Sequence, residues 1–154
     1  MAKFPTEVER TVDLAVPPAR AYAYLADVVG SSRCIPGLRT CTRVADDTYR
    51  FVYEERSTGP VSMTVQYTAR YTVNGKDEIA FTSTGAAGDN TDVRGTLRLE
   101  SSGAGTRLVL RQMLAPDTPV PRLVQGLIRA FVEKEAAAAV EQYLGHVKRA
   151  LESA

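Results

Sequence analysis

Two periodicities divide this chain. From Arg39 to Leu114 apolar and polar residues largely alternate, the pattern of strands with one buried face. From Val120 to Ala154 apolar residues recur instead at threes and fours. Leu123, Val124, Leu127, Ile128, Phe131, Val132, Ala136, Val140, Tyr143, Leu144, Val147 and Leu151 fall on one face of an α-helix. Pro119 and Pro121 stand where a helix can start. A long helix after an antiparallel sheet buries its stripe across that sheet, and if the sheet curves, the two enclose a space.

The shorter elements follow from the same patterns. Val8 to Val16 predicts a strand with Val8, Arg10, Val12 and Leu14 on one face and Glu9, Thr11 and Asp13 on the other. Pro17-Pro18 ends it and opens a short helix from Ala19 to Asp27, with Tyr22, Leu25 and Val29 inward and Gly30, Ser31 and Ser32 closing it. A further helical turn is expected at Arg33 to Ile35, before Pro36-Gly37. Strands are then predicted at Leu38 to Val44, Tyr49 to Arg56, Val61 to Val73, Glu78 to Thr84, Thr91 to Glu100 and Thr106 to Leu114. The most regular follows the turn Thr58-Gly59-Pro60, with Val61, Met63, Val65, Tyr67, Ala69, Tyr71 and Val73 on one face. Asn74-Gly75 predicts a two-residue hairpin turn, and Gly85 to Asn90 a loop. Strand, short helices, strands and long helix make an α+β chain, expected to form one domain over residues 1–154.

Composition removes several function classes. The 19 basic and 18 acidic residues leave a net charge of +1, with no local basic tract, so no nucleic-acid footprint is expected. No stretch approaches the roughly 20 apolar residues of a membrane span, and the N-terminus lacks a signal-like apolar run, which predicts a cytoplasmic protein. Cys34 and Cys41 are expected to be free thiols in or near the core. With His146 as the one histidine and no Cys-x-x-Cys, no metal site and no cofactor are expected. No nucleophile elbow, phosphate loop or dinucleotide fingerprint occurs, and no catalytic residues are assigned.

The order of elements resembles the helix-grip fold of the START-like (SRPBCC, polyketide cyclase-like) superfamily over nearly the whole chain. Within it, Ser32-Arg33-Cys34-Ile35-Pro36-Gly37-Leu38 and the Gly59-Pro60 turn are similar to stretches of the carbon monoxide dehydrogenase G-subunit family. The resemblance implies a curved antiparallel sheet wrapped around the C-terminal helix. It also implies a cavity between them that opens near the short helices, for bulky apolar molecules such as lipids or polyketides. Members of the G-subunit family often extend beyond the long helix into a segment thought to engage the membrane. This sequence stops at Ala154, which speaks against that anchoring role.

Given such a cavity, the expected ligand-binding residues are Tyr49, Phe51, Tyr53, Met63, Val65, Tyr67, Phe81, Leu97, Gln112, Leu127 and Phe131. Tyr49, Tyr53, Tyr67 and Tyr71 share inner faces of consecutive strands, either as core aromatics or as rings whose hydroxyls orient a ligand. Arg10 and Glu55 interrupt apolar faces and could pair; Glu135 and His146 are expected on the solvated surface. Cys34 is the better placed of the two thiols to line the cavity mouth. The leading expectation is non-catalytic binding of a hydrophobic small molecule. The alternatives are a polyketide cyclase or dehydratase using Tyr53, Tyr67, Arg10, Glu55 and Gln112, and an accessory protein of a molybdenum hydroxylase. Exposed strand edges allow a homodimer without requiring one.

Overall fold

The computed structural model describes residues 2–3, 5–58, 61–118 and 122–153. Its centre is an antiparallel sheet of β1 (Ala2–Lys3), β2 (Thr6–Leu14), β3 (Leu38–Ala45), β4 (Thr48–Tyr53), β7 (Gln66–Val73), β8 (Glu78–Ser83), β9 (Thr91–Ser102) and β10 (Gly105–Thr118). Between β4 and β7 the chain makes a separate small ladder, β5 (Arg56–Thr58) with β6 (Val61–Met63). The strand order is β2-β10-β9-β8-β7-β4-β3, with β1 continuing the β2 edge along the end of β10. Pro5, which has no N–H to donate, sits at the interruption between β1 and β2. Each hairpin connection joins neighbours, and the sheet curves into the helix-grip arrangement.

Three helices complete the fold: α1 (Pro18–Ala26), α2 (Val28–Ser31) and α3 (Gln125–Glu152), the last led by a 3-10 turn at Arg122–Val124. The predicted start at Val120 lies outside the described residues. α3 crosses the concave face of the sheet and packs along β2. Its buried stripe is Ile128, Val132, Ala136, Val140, Leu144, Val147 and Leu151, against sheet residues that include the fully buried Phe51, Ile79 and Leu108. The end of the helix is tied to the end of β2: Lys148 Nζ donates to the Asp13 carbonyl at 2.8 Å, and Glu152 accepts from Ala15 N at 2.9 Å. No helix among the described residues is long and apolar enough to cross a membrane.

The departures from the predicted elements have local causes. The long strand expected from Val61 to Val73 breaks between Met63 and Gln66. There the Asn90 side chain takes a strand's place, donating to Thr64 O at 2.5 Å and accepting from Gln66 N at 2.9 Å. β10 runs past Leu114 because Ala115 and Pro116 still pair with β9 and Asp117 with β1. The Asn74-Gly75 turn is longer than two residues, since Asn74 Oδ1 accepts from the N–H groups of Lys76, Asp77 and Glu78. Val29 is exposed, contrary to expectation. Asp27 caps a new helix through Gly30 N at 3.1 Å, and that change of phase turns Val28 inward instead.

Candidate functional site

Sheet and helix do not close on each other along their whole length. The C-terminal half of α3 fills the interface with Leu144, Val147 and Leu151. In the first half, Ala136 and Ala139 face the sheet with only a methyl each, and a cavity of about 190 Å³ remains. A single water needs roughly 10–15 Å³ by that kind of measure, so the space suits a molecule of many atoms. Its sheet wall is Tyr53, Val65, Tyr67, Tyr71, Phe81, Leu97, Leu110, Gln112 and Leu114. Its helix wall is Ile128, Phe131, Val132, Ala136, Ala139, Val140 and Tyr143, with Ile35, Pro36, Gly37, Glu54, Arg56, Pro116 and Glu135 completing the lining.

Aromatic packing holds the sheet wall in shape. Phe51 stacks on Tyr67 with centroids 5.0 Å apart, Tyr71 stacks on Phe81 at 5.5 Å, and Tyr49 meets Tyr71 edge-on at 5.5 Å. Phe81 can lie flat across β9 because residue 95 is glycine: a Cβ there would stand 2.6 Å from the ring. The Tyr53 and Tyr67 hydroxyls are hydrogen-bonded to each other at 3.1 Å. Burial pushes the Tyr53 hydroxyl up to about 12. It pushes Tyr67, Tyr71 and Tyr143 well above the ordinary tyrosine value, with neighbouring phenols and thiols adding to the effect. These groups are neutral donors and acceptors near neutral pH, not bases. The Gln112 amide faces the cavity without a hydrogen-bond partner among the described residues. One ion pair bridges the lining, from Arg56 Nη1 on the β5–β6 ladder to Glu135 Oε2 on α3 at 2.9 Å.

Of the expected ligand-binding residues, the cavity brings together Tyr53, Val65, Tyr67, Phe81, Leu97, Gln112 and Phe131. Phe51 and Tyr49 share their face but do not line it; they support the rings that do. Leu127 is 73% exposed, because Ile128, one helical step on, takes the inward position. The Met63 side chain lies outside the described set. Alternation and helical spacing did place Tyr71 and Tyr143 on inward faces, which is the signal that could have added both. Arg56 and Ala139 carry no such signal.

Four further expectations are corrected. Arg10 and Glu55 do not pair: Arg10 reaches Glu141 at 3.5 Å, and Glu55 accepts from Ser62 Oγ at 2.7 Å. Glu135 belongs to the cavity lining rather than to the open surface. Cys34 is buried beside the Tyr24 hydroxyl at 3.2 Å, while the three residues after it line the cavity. His146 is half-buried and donates from Nδ1 to the Cys34 carbonyl at 2.9 Å, pinning α3 to the 3-10 turn Ser32–Cys34. No three His, Cys, Asp or Glu side chains among the described residues cluster to hold a metal.

A family profile described as polyketide cyclase / dehydrase and lipid transport matches residues 5–152. No protein of curated function matches the sequence. Among solved structures, a START superfamily protein from Mycobacterium smegmatis superposes with a TM-score of 0.73 at 14% identity, covering 96% of this chain and 97% of its own. The Thermus thermophilus protein TTHA0849 gives 0.72 at 21% identity, covering 97% of each chain. The Zhui aromatase/cyclase from a Streptomyces species gives 0.61 at 19% identity, covering 94% of each. At these identities the likeness is one of fold.

Proposed function

Since the chain belongs to the polyketide cyclase / dehydrase and lipid transport family, we propose that it binds a bulky, mostly apolar small molecule between sheet and α3 without converting it. The observation that carries this reading is the character of the lining. A mostly apolar cavity of about 190 Å³, whose charged lining residues are Glu54 and the paired Arg56 and Glu135, carries two neutral polar features, the Tyr53–Tyr67 hydroxyl pair and the unpartnered Gln112 amide. Such groups orient a carbonyl or hydroxyl on the ligand, and the rest of the affinity comes from apolar burial. A general base or nucleophile needs a group whose proton is easily lost; burial moves every shifted cavity tyrosine the other way, and of the lining carboxylates Glu54 is exposed and Glu135 is held by Arg56 at 2.9 Å. Arg10 and Glu55, which a cyclase built on the expected constellation would use, lie off the cavity.

Native mass spectrometry of the purified chain, followed by organic extraction, tests the proposal directly. A stoichiometric apolar compound is the expected result. Tyr67→Phe should then weaken binding about five-fold, the worth of one hydrogen bond near 1 kcal/mol. A polyketide consumed by the wild type and spared by Tyr67→Phe would replace the binding reading with the cyclase one. A chain that stays empty against lipids and aromatic polyketides would leave an accessory role, like that of the carbon monoxide dehydrogenase G-subunit family, as the better account.

A further inference from the structure

Two of the hydroxyls that line the cavity have no partner in the protein. Four lining residues are tyrosines: Tyr53, Tyr67 and Tyr71 from the sheet and Tyr143 from α3. Tyr53 and Tyr67 bond to each other at 3.1 Å, whereas the hydroxyls of Tyr71 and Tyr143 have no hydrogen-bond partner among the described residues. Tyr143 marks the closed end of the space, as the last residue of α3 to line it before Leu144 fills the interface. On the sheet wall the Tyr71 ring is fixed by stacking on Phe81, centroids 5.5 Å apart, and by the edge of Tyr49 at 5.5 Å. The two hydroxyls lie within electrostatic reach: besides burial, negative charge at Tyr143 and Tyr53 raises Tyr71, and Tyr53 also raises Tyr143. The charged lining residues stand apart from Tyr143. Glu135 is eight residues earlier on α3 (143 − 135), about 12 Å back along its axis, where it holds Arg56 at 2.9 Å, and Glu54 is exposed.

We propose that the closed end of the cavity is a subsite for a neutral oxygen acceptor, the carbonyl of an apolar ketone, held by the hydroxyls of Tyr71 and Tyr143. This rests on the ligand-binding reading above and settles on one of the two groups, carbonyl or hydroxyl, that the reading allows. Of the four phenolic hydrogens, one is used between Tyr53 and Tyr67, which leaves three donors without an acceptor. A buried donor without a partner is unfavourable, so the site fits a guest that brings an acceptor. A ketone oxygen accepts two hydrogen bonds and adds no hydrogen of its own. An alcohol adds one more donor and would have to place it on a phenol oxygen, a weak acceptor because its lone pair is shared with the ring. A carboxylate needs a cation, and the one lining cation, Arg56, is already held by Glu135. A hydrocarbon leaves both hydroxyls unpaired.

Fluorenone and fluorene share one ring frame and differ in the carbonyl, so equilibrium dialysis of the full chain against each decides it. Fluorenone is expected to bind at least about tenfold more tightly, the effect of two neutral hydrogen bonds. Tyr71→Phe and Tyr143→Phe should each reduce that advantage several-fold. The infrared carbonyl stretch of fluorenone bound to the wild type should lie below its value in hexane and move back up in each variant. Without ligand, neither variant should lose Tm, because the hydroxyl removed has no partner in the protein. A fall in Tm of both would make the hydroxyls structural and overturn the proposal. Fluorene bound as tightly as fluorenone, or a bound carbonyl stretch at its hexane value, would overturn the ketone subsite and leave the binding reading intact. A chain that takes up neither compound would overturn both.

Discussion

The hydroxyls that face the cavity tie its chemistry to the stability of the fold. Burial penalises the phenolate, so Tyr67, only 6% exposed, keeps its proton in the folded chain well above the pH at which it would lose it unfolded. The sign follows: above about pH 10 the unfolded state has released a proton that the folded state retains. Stability is therefore complete below that pH and is lost as pH rises toward the folded value. Tyr67 alone gives a slope of about 1.4 kcal/mol per pH unit, and Tyr53, Tyr71 and Tyr143 act in the same direction. Denaturant titrations at about pH 9 and about pH 11 should show the midpoint falling steeply, with phenolate absorbance from these residues rising together with unfolding. Free titration of all the tyrosines near pH 10 in a chain that is still folded would contradict the burial described here. These residues were legible in the sequence as far as parity reaches. Alternation assigns Tyr53 and Tyr67 to the inner face, but it assigns Phe51 there equally, and only the position along a curved sheet separates a ring that lines the space from one beneath it. Leu127 shows the corresponding weakness for helices, where an error of one residue in phase turns a wall residue out to solvent.

Elements bring together what neither period can show. The β5–β6 ladder is held off the main sheet by the break at Thr64 and Val65, and its Arg56 meets Glu135 of α3 at 2.9 Å across the cavity lining. The partners stand 79 positions apart (135 − 56), so no local pattern announces the contact. The same is true of Asn90, whose side chain stitches the broken strand from a loop that reads only as a loop. An ion pair with side chains 62% and 35% exposed contributes below about 1 kcal/mol to stability. Its effect should instead appear in access to the cavity, since it ties a small ladder to the helix. Arg56→Ala is expected to leave Tm within a few degrees of wild type while speeding release of a bound apolar fluorophore several-fold. High salt should speed release from the wild type and scarcely affect the variant. Equal release rates in stopped-flow displacement would show that the pair does not control access.

At the scale of the whole molecule, the cavity is the consequence of a helix whose two halves pack differently on one sheet. Both periodicities were legible in the sequence, because sheet and helix each write their repeat into neighbouring residues. The void was not, because it depends on side-chain volume opposite a curved surface. Leu144 and Ala136 belong to the same stripe and differ only in what they fill. The distinction predicts opposite responses to changes of size. Leu144→Ala removes side-chain volume from a closed interface at a residue 3% exposed, and should cost about 2–5 kcal/mol in chemical denaturation. Ala139→Phe adds a ring where the protein already leaves space, so it should lose the bound ligand at little cost in stability, or with a gain from apolar burial. If Ala139→Phe instead destabilises by the 1–3 kcal/mol or so typical of overpacking, the interface is closed there as well, and the ligand reading fails with it. If it keeps both its stability and its ligand, the ligand sits elsewhere. Loss of ligand in a chain as stable as the wild type is the outcome that a space reserved for a guest requires.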